Sequence, residues 1–360
     1  MKFFNLDLHI SVIADIKKIF NDLGHEVDNW SISGHSHIMG RSIDKVDFIN
    51  QNTWRNIDDN LIEKFYQRYK EELKHYDGFI VTHTPCFSML YEKFNKPIIT
   101  VASTRFEDPF SNDMIKWMKF NNYLKTQIDN NLIIPIANNK YDKAYTELYT
   151  EREWEHIPSL CEYTKSRYTG KNNQFLYSSR LKINLSDNNL LKDKDNTLKK
   201  GYKWQDLADF KGIVHIPYNA STMSIFEQYT ANIPLFFPSY EFMRDLRAKY
   251  YNNGVLSELS WNQVHNYSSN STLFNHFSHG VNDPNDYHNN EAMMEWVRLS
   301  DFYDNENMPN IQYFNSFEHL NQLLAAVDTN SISNSMKEHN KQRKRVVYEK
   351  WKNILSKLED

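Results

Sequence analysis

Short apolar runs alternate with segments of helical periodicity along the first 160 residues of the chain. Five runs have the length of a strand: KFFNLDLH (2–9), EVDNWSIS (26–33), DGFIVTHT (77–84), KPIITVAS (96–103) and NLIIPIAN (131–138). Segments 10–24, 57–76 and 111–128 separate them and carry apolar residues at helical spacing. This succession is typical of a parallel sheet that is covered by helices on both faces. The chain is therefore predicted to begin with a Rossmann-like α/β domain.

The same pattern starts again after the polar stretch TKSRYTGKNN (164–173), which is interpreted as a linker. A charged segment of low hydrophobicity, 182–203, interrupts the second pattern and is predicted to contain no strand. The predicted elements, in order, are strand 174–181, helix WQDLADF, strand 211–218, helix STMSIFEQYTAN, strand 233–239, helices at 240–251 and near 290–302, strand IQYFN and helix SFEHLNQLLAAV.

The predicted fold class is α/β, with two Rossmann-like domains. The first spans residues 1–163, the second spans 174–335, and a C-terminal helix occupies 336–360. The stretch MKEHNKQRKRVVYEKWKNILSKL carries an apolar stripe along one helix face, so this helix needs a partner surface. Its basic run, Lys341 to Arg345, is interpreted as a solvated face and not as a nucleic-acid site.

Composition excludes several classes of function. A content of 40% hydrophobic and 14% aromatic residues is enough to build a core, which excludes a disordered protein. The net charge of −4 gives no overall basic field, so nucleic acid is not expected as a partner, and a local basic patch is the alternative that stays open. Cys86 and Cys161 are the two cysteines and lie far apart, which excludes a disulfide framework and a cysteine-based zinc site.

The expected location is the cytoplasm, or the host cytoplasm if a virus encodes the protein. Asp7, His9 and Asp15 interrupt what would have to be the apolar core of a signal peptide. No apolar stretch approaches the length of about 18 residues that a membrane span requires. Two cysteines without a C-x-x-C pair fit a reducing compartment.

One strand-to-helix transition carries an unusual cluster of hydroxyl groups. Residues 214–239 read VHIPYNASTMSIFEQYTANIPLFFPS, in a chain with only nine glycines. Ser221, Thr222 and Ser224 stand where the strand gives way to the helix. The first turn of a helix has unpaired backbone N–H groups, so these hydroxyls either cap the helix or help to hold a phosphate. No G-x-G-x-x-G and no Walker A sequence occurs, so the dinucleotide and P-loop alternatives lose their main support, and a nucleotide bound in another way stays open.

Residues 212–239 resemble the donor-binding segment of glycosyltransferases with the two-Rossmann-domain (GT-B) fold. In that family a loop of small residues at a helix N-terminus faces the diphosphate of a nucleotide sugar. A glutamate within the helix binds the ribose, and a small-residue-plus-proline phrase opens the next strand. Glu227 and ANIPLFFPS match that pattern. The resemblance also implies a central cleft between the domains and a C-terminal helix that packs back on the N-terminal domain.

The resemblance implies a set of donor-binding residues around this transition: Tyr218, Asn219, Ser221, Thr222, Met223, Ser224 and Glu227. Asn219 stands where retaining members carry a first glutamate, which favours inversion. Arg180 closes the run QFLYSSR and, with Lys182 as the next candidate, is predicted to contact the diphosphate, because a guanidinium fork matches two phosphate oxygens. The alternative is that Arg180 is a surface residue without a role in donor binding.

The catalytic base is expected among histidines of the N-terminal half. His35, in the loop SGHSHIMGR, is the first candidate, and His9, at the end of the first strand, is the second. An unperturbed imidazole takes up a proton near neutral pH. His37, His83, Arg105 and Glu107 follow strand ends and are acceptor-side candidates, with turn and capping roles as the alternative.

No metal site is predicted, because His35 and His37 lack a third ligand. The charges of KDKD (192–195) are interpreted as solvated.

The leading hypothesis is therefore a metal-independent, inverting glycosyltransferase. It would move a sugar from a nucleotide-diphosphate sugar, as its donor substrate, to a hydroxyl of a glycan or another acceptor, without a cofactor. Three alternatives remain open at this point: a nucleotide-sugar epimerase of the same architecture, a non-catalytic carbohydrate- or nucleotide-binding protein, and a glycosyltransferase that modifies DNA bases.

Overall fold

The computed structural model describes residues 1–103, 108–110, 113–181, 189–199, 201–259 and 286–359. The described residues form two compact units. Unit 1 comprises Met1–Ser159 and the C-terminal residues from Tyr348 onward, and unit 2 comprises the described residues between Leu160 and Val347.

Unit 1 is built on a parallel six-stranded sheet of order β2-β1-β3-β4-β5-β6. The chain places β2 on one side of β1 and β3 on the other, so the strand order reverses beside β1. The elements are β1 (Lys2–Asp7), α1 (Ile10–Asp22), β2 (Glu26–Ser31), α2 (Asp59–Leu73), β3 (Gly78–Val81), β4 (Ile98–Ala102), α3 (Met114–Asp129), β5 (Ile133–Ala137), α4 (Lys140–Thr150) and β6 (Glu155–His156).

Both faces of this sheet are covered. All residues of β3 and β4 are buried, as expected for central strands between helical layers. The N-termini of three covering helices are closed by side chains of their N-cap residues, Asp58 on α2, Asp113 on α3 and Asn139 on α4. The strand runs and the helical segments predicted for this half are confirmed, and α4 is an additional helix.

Unit 2 contains a parallel five-stranded sheet of order β11-β10-β9-β7-β8. The chain places β8 on one side of β7 and β9 on the other, so the order reverses between β7 and β9. The elements are β7 (Asn172–Ser179), β8 (Leu191–Asp193), α5 (Lys194–Thr197), α6 (Trp204–Ala208), β9 (Phe210–Ile216), α7 (Met223–Thr230), β10 (Leu235–Pro238), α8 (Tyr240–Tyr250), α9 (Asn290–Val297), β11 (Gln312–Phe314) and α10 (Phe317–Ala326). The predicted α/β class with two parallel sheets is confirmed.

The last helix, α11 (Thr329–Glu359), contributes to both units and starts earlier than predicted. Val347, Trp351 and Leu355 are buried, and the Trp351 ring meets Phe20 of α1 edge-on at 5.2 Å between centroids. The predicted packing of the C-terminal helix on the N-terminal half is therefore confirmed. Val346, the neighbouring apolar residue, is 42% exposed, because it lies on the opposite side of the helix.

Two predictions of secondary structure need correction. The stretch 164–173 is not a free linker, because Tyr168 and Thr169 donate backbone hydrogen bonds to Ala231 and Ala208 of unit 2. The charged segment after residue 188 contains a strand, β8, and a short helix, α5. Its polar composition hid this edge strand, which pairs with β7 on one side only.

Candidate functional site

A pocket of about 170 Å³ opens at the point in unit 2 where the strand order reverses. Ligands of open α/β sheets bind beyond the carboxyl ends of the strands at such a point. The lining comes from the ends of β7 and β9, from α5 and from the first turn of α7: Ser178, Ser179, Arg180, Lys194, Asp195, His215, Ile216, Pro217, Tyr218, Thr222, Ser224 and Ile225. The structure thus brings four predicted donor-site residues, Arg180, Tyr218, Thr222 and Ser224, into one cavity.

The hydroxyl groups at the start of α7 do not cap the helix. Thr222 is the N-cap residue, yet its side chain makes no capping hydrogen bond. Its Oγ1 lies 3.0 Å from Ser224 Oγ at the pocket wall. By contrast, Ser239 accepts a hydrogen bond from the Phe242 N–H at the start of α8. The first turn of α7 therefore presents backbone N–H groups and two hydroxyls to the pocket, as an anion site requires.

Arg180 is held in place at the mouth of the pocket. Its guanidinium lies 3.7 Å from the centroid of the Tyr218 ring, and Nη1 donates to Glu258 Oε1 at 2.5 Å. Gly254 allows this arrangement, since it has a left-handed φ of +98° and a Cβ there would lie 2.6 Å from Arg180 Cβ. Glu258 in turn donates its backbone N–H to the Tyr218 carbonyl oxygen. The cation is oriented by stacking and by an ion pair while 49% of its side chain stays exposed.

Lys194 and Asp195 also line the pocket. This corrects the interpretation of the charged side chains of KDKD (192–195) as solvated. Lys194 is the first residue of α5, directly after β8, and its side chain is 23% exposed. The sequence does contain one indication of a strand here, the apolar pair Leu190 and Leu191 directly before the charges. Leu191 is a buried residue of the edge strand β8. This correction gives the pocket a second cation.

Several predicted donor-site residues lie outside the pocket lining. Ser221 donates to the buried Asp301 Oδ2 at 3.1 Å, and Asn219 Oδ1 accepts from the Ala220 N–H at 2.7 Å, so both serve the local structure. Met223 begins α7 but does not line the cavity. Lys182 lies outside the described residues.

Glu227, on the second turn of α7, is held by an aromatic partner. Its Oε1 accepts a hydrogen bond from the Tyr163 hydroxyl, and the Tyr163 ring meets Trp204 edge-on at 5.6 Å. The side chain is half-buried. The carboxylate therefore has a fixed orientation on the same helix whose N-terminus opens to the pocket.

No protein-family model matches the sequence, and no curated protein matches it. Among solved structures, the chain is similar to the glycotransferase of kitacinnamycin, with 8% identity and a TM-score of 0.47 over 99% of this chain and 98% of that one. It is similar to the glycosyltransferase SnogD from Streptomyces nogalater, with 11% identity and a TM-score of 0.36 over 66% and 81% of the two chains. A putative UDP-N-acetylglucosamine 2-epimerase from Listeria monocytogenes gives 8% identity and a TM-score of 0.41 over 66% and 78%.

In unit 1, two histidines meet at the corresponding reversal of strand order. His9 follows β1 and His83 follows β3, and their rings are stacked with centroids 5.7 Å apart. His9 is half-buried at the N-cap of α1 and does not cap the helix, while His83 is buried. His35 and His37, by contrast, are exposed on a short 3₁₀ turn, with ring centroids 6.5 Å apart. Arg105 and Glu107 lie outside the described residues.

Among the described residues, neither a metal-binding cluster nor a membrane-spanning helix is found. No group of three or more histidine, cysteine or acidic side chains among them is arranged to hold a metal ion. Within the same part of the chain, no helix is both long enough and apolar enough to cross a membrane.

A buried carboxyl group lies at the end of β1, two residues before His9. Asp7 is 1% exposed, and burial raises the pKa of this carboxyl to about 6 from 3.8, although hydrogen bonds from Asn29 and Ser31 oppose the rise. The folded protein thus holds this proton more tightly than the unfolded chain does. The stability that Asp7 contributes is therefore fully present below about pH 4 and is lost as the pH rises through about 6.

We expect the substitution Asp7→Asn to remove this pH dependence. The free energy of unfolding of the unmodified protein should lose about 2–3 kcal/mol from this group between pH 4 and pH 7, because each pKa unit corresponds to about 1.4 kcal/mol. Urea unfolding of both proteins at several pH values measures the difference. Equal slopes of unfolding free energy against pH would contradict the assignment.

Proposed function

We propose that this protein is a glycosyltransferase that moves a sugar from a nucleotide-diphosphate sugar to a hydroxyl group of a glycan or another acceptor. The observation that carries the proposal is the pocket at the reversal of strand order in unit 2. It combines an uncapped helix N-terminus that bears the hydroxyls of Thr222 and Ser224 with two cations, Arg180 and Lys194. That is the combination of groups that a leaving diphosphate requires.

The chemical step is a single displacement. The acceptor oxygen forms a bond to the anomeric carbon while the bond from that carbon to the phosphate oxygen breaks, and the electron pair leaves with the diphosphate. Arg180, Lys194 and the first N–H groups of α7 stabilise the charge that develops on the leaving group. In this proposal side-chain cations do the work of a metal ion, and the anomeric configuration inverts.

The acceptor proton goes to a histidine of unit 1 in this proposal. The geometry favours His9 over His35, because His9 is half-buried at the reversal of strand order whereas His35 is exposed on a surface turn. His83 stacks on His9 and limits the rotation of its ring. A base that is held in one orientation needs less reorganisation when it accepts the proton.

Ribose binding is assigned to Glu227, and it gives a direct prediction. Replacing Glu227 with alanine should weaken nucleotide binding by about 1.5–3 kcal/mol, the range of a hydrogen bond to a charged group. Titration calorimetry with the nucleoside diphosphate measures the loss. Tyr163→Phe is the matched control, because it keeps the carboxylate and removes only its orienting hydroxyl, so a smaller loss is expected. Unchanged affinity in Glu227→Ala would refute the role of Glu227.

A thermal-shift screen against UDP-, GDP-, dTDP- and CMP-sugars tests the proposal as a whole, because a ligand that binds only the native state raises its stability. The sugar that stabilises the protein is then supplied in labelled form with candidate acceptors. Transfer of the label with inverted configuration, undiminished by a chelator, supports the proposal. A labelled sugar that is epimerised without transfer would assign the pocket to an epimerase instead, and no stabilisation by any sugar nucleotide would refute the proposal.

A further inference from the structure

The lining of the pocket includes a buried histidine. His215 lies near the end of β9, is 6% exposed and lines the cavity. Its ring is stacked on Phe237 of β10, with centroids 4.9 Å apart and an angle of 13° between the planes. Phe237 is stacked in the same way on Phe302, at 4.5 Å. The plane of the imidazole is therefore fixed by a column of three rings.

The hydrogen bond to Gln228 fixes which ring nitrogen carries the proton. His215 Nε2 lies 2.7 Å from the side-chain oxygen of Gln228, which can only accept. Nε2 is thus the donor, and in the neutral ring Nδ1 must be an acceptor. None of the described residues makes a hydrogen bond to Nδ1. An acceptor atom of a buried, pocket-lining ring is left for a ligand.

The ring is neutral at all ordinary pH values. Burial lowers the pKa of His215 to about 4, and the positive charge of Lys194 lowers it as well, against the opposing effect of Gln228. A neutral Nδ1 cannot donate to a phosphate oxygen and repels it through its lone pair. The group that lies against His215 must therefore carry an N–H or O–H.

We propose that His215 accepts a hydrogen bond from the nucleoside part of the donor substrate, either from an N–H of the base or from a ribose hydroxyl, and so selects nucleotides over simple phosphates. This inference rests on the proposed function. It divides the pocket by chemistry: Arg180, Thr222, Ser224 and the N–H groups of α7 take the phosphates, and His215 takes a neutral donor group. His215 is then a residue that determines specificity in nucleotide binding.

The test compares nucleotides with a ligand that has only phosphates. Titration calorimetry is carried out with UDP, dTDP, GDP, CDP and inorganic pyrophosphate on the full chain and on His215→Phe, which keeps a ring on Phe237 and removes the acceptor. We expect the tightest nucleoside diphosphate to bind roughly five- to hundredfold more weakly to the variant, the range for an unmade buried hydrogen bond. Pyrophosphate should bind within about twofold of the unmodified protein.

Gln228→Glu provides a second variant that keeps the histidine. A carboxylate at residue 228 stabilises the protonated ring, so Nδ1 becomes a donor. The nucleoside diphosphate should then lose affinity while pyrophosphate keeps or gains it. Thermal unfolding without ligand shows whether each variant is folded.

Analogues of the tightest-binding nucleotide distinguish whether the base or the ribose donates the hydrogen bond to His215. Methylation of the base N–H, or removal of the 2′ or 3′ hydroxyl, should weaken binding to the unmodified protein but not to His215→Phe, and the analogue that behaves so identifies the group. Equal losses for nucleotide and pyrophosphate, or no loss in folded His215→Phe, would overturn this inference alone. Failure of the unmodified protein to bind any of the nucleotides would overturn the proposed function with it.

Discussion

Replacing His9 with alanine is expected to lower kcat by about 10²–10⁴-fold, the usual contribution of a general base, with little change in donor affinity. The reason is its position. His9 follows the central strand β1 where the strand order of unit 1 reverses, and its ring is stacked on His83 at 5.7 Å between centroids. Initial rates at saturating donor and acceptor measure the loss. The acid limb of the pH profile of kcat/KM should disappear in the variant.

His35→Ala is the matched comparison for His9. His35 is the other histidine that the sequence proposes as the base, but it is exposed on a surface turn, so its replacement should leave kcat within a few fold. A large loss of kcat in His35→Ala together with a normal kcat in His9→Ala would assign the general base to His35 instead. Retention of configuration together with near-normal rates in both variants would refute a histidine base and direct attention to Asn219.

Arg180→Ala should lower kcat by about 10²–10³-fold, the cost of removing one oriented donor from a developing anion. Arg180 is held between the Tyr218 ring and Glu258, so its forked donors are oriented before the donor binds. Because the charge on the diphosphate grows as the bond to the sugar breaks, the loss should fall on kcat more than on KM. Single-turnover rates with excess enzyme measure the chemical step directly.

Two further variants separate the effect of the Arg180 charge from the effect of its ion pair with Glu258. Arg180→Lys keeps a positive charge without the fork and should recover part of the rate. In Arg180→Ala the carboxylate of Glu258 loses its ion pair with the guanidinium and repels a bound phosphate, so the double variant with Glu258→Ala should be faster than the single one. A rate for Arg180→Ala within a few fold of normal would show that Lys194 and the α7 N-terminus suffice for leaving-group stabilisation.

Most of the fold could be predicted from local patterns. The strands from β1 to β5 and the helices α1, α2 and α3 are predicted, because apolar spacing reports directly which face of a segment is buried. α4 was missed although Asn139 caps it, because its buried face is built mainly from Tyr141, Tyr145 and Tyr149, with Leu148 as its buried aliphatic residue. β8 was missed because an edge strand of three residues shows almost no alternation.

The sequence by itself determined the α/β class, the two parallel sheets, the apolar stripe of α11 and the strand-to-helix transition at Thr222. These features follow from short-range periodicity and from residue types that favour particular backbone conformations. Only the tertiary structure decided which side chains meet. Ser221 bonds to Asp301, 80 residues away, and Lys194 and His215 line one pocket because β8, β7 and β9 are neighbours. Strand order sets such contacts, and strand order depends on packing across the whole sheet, which no local pattern encodes.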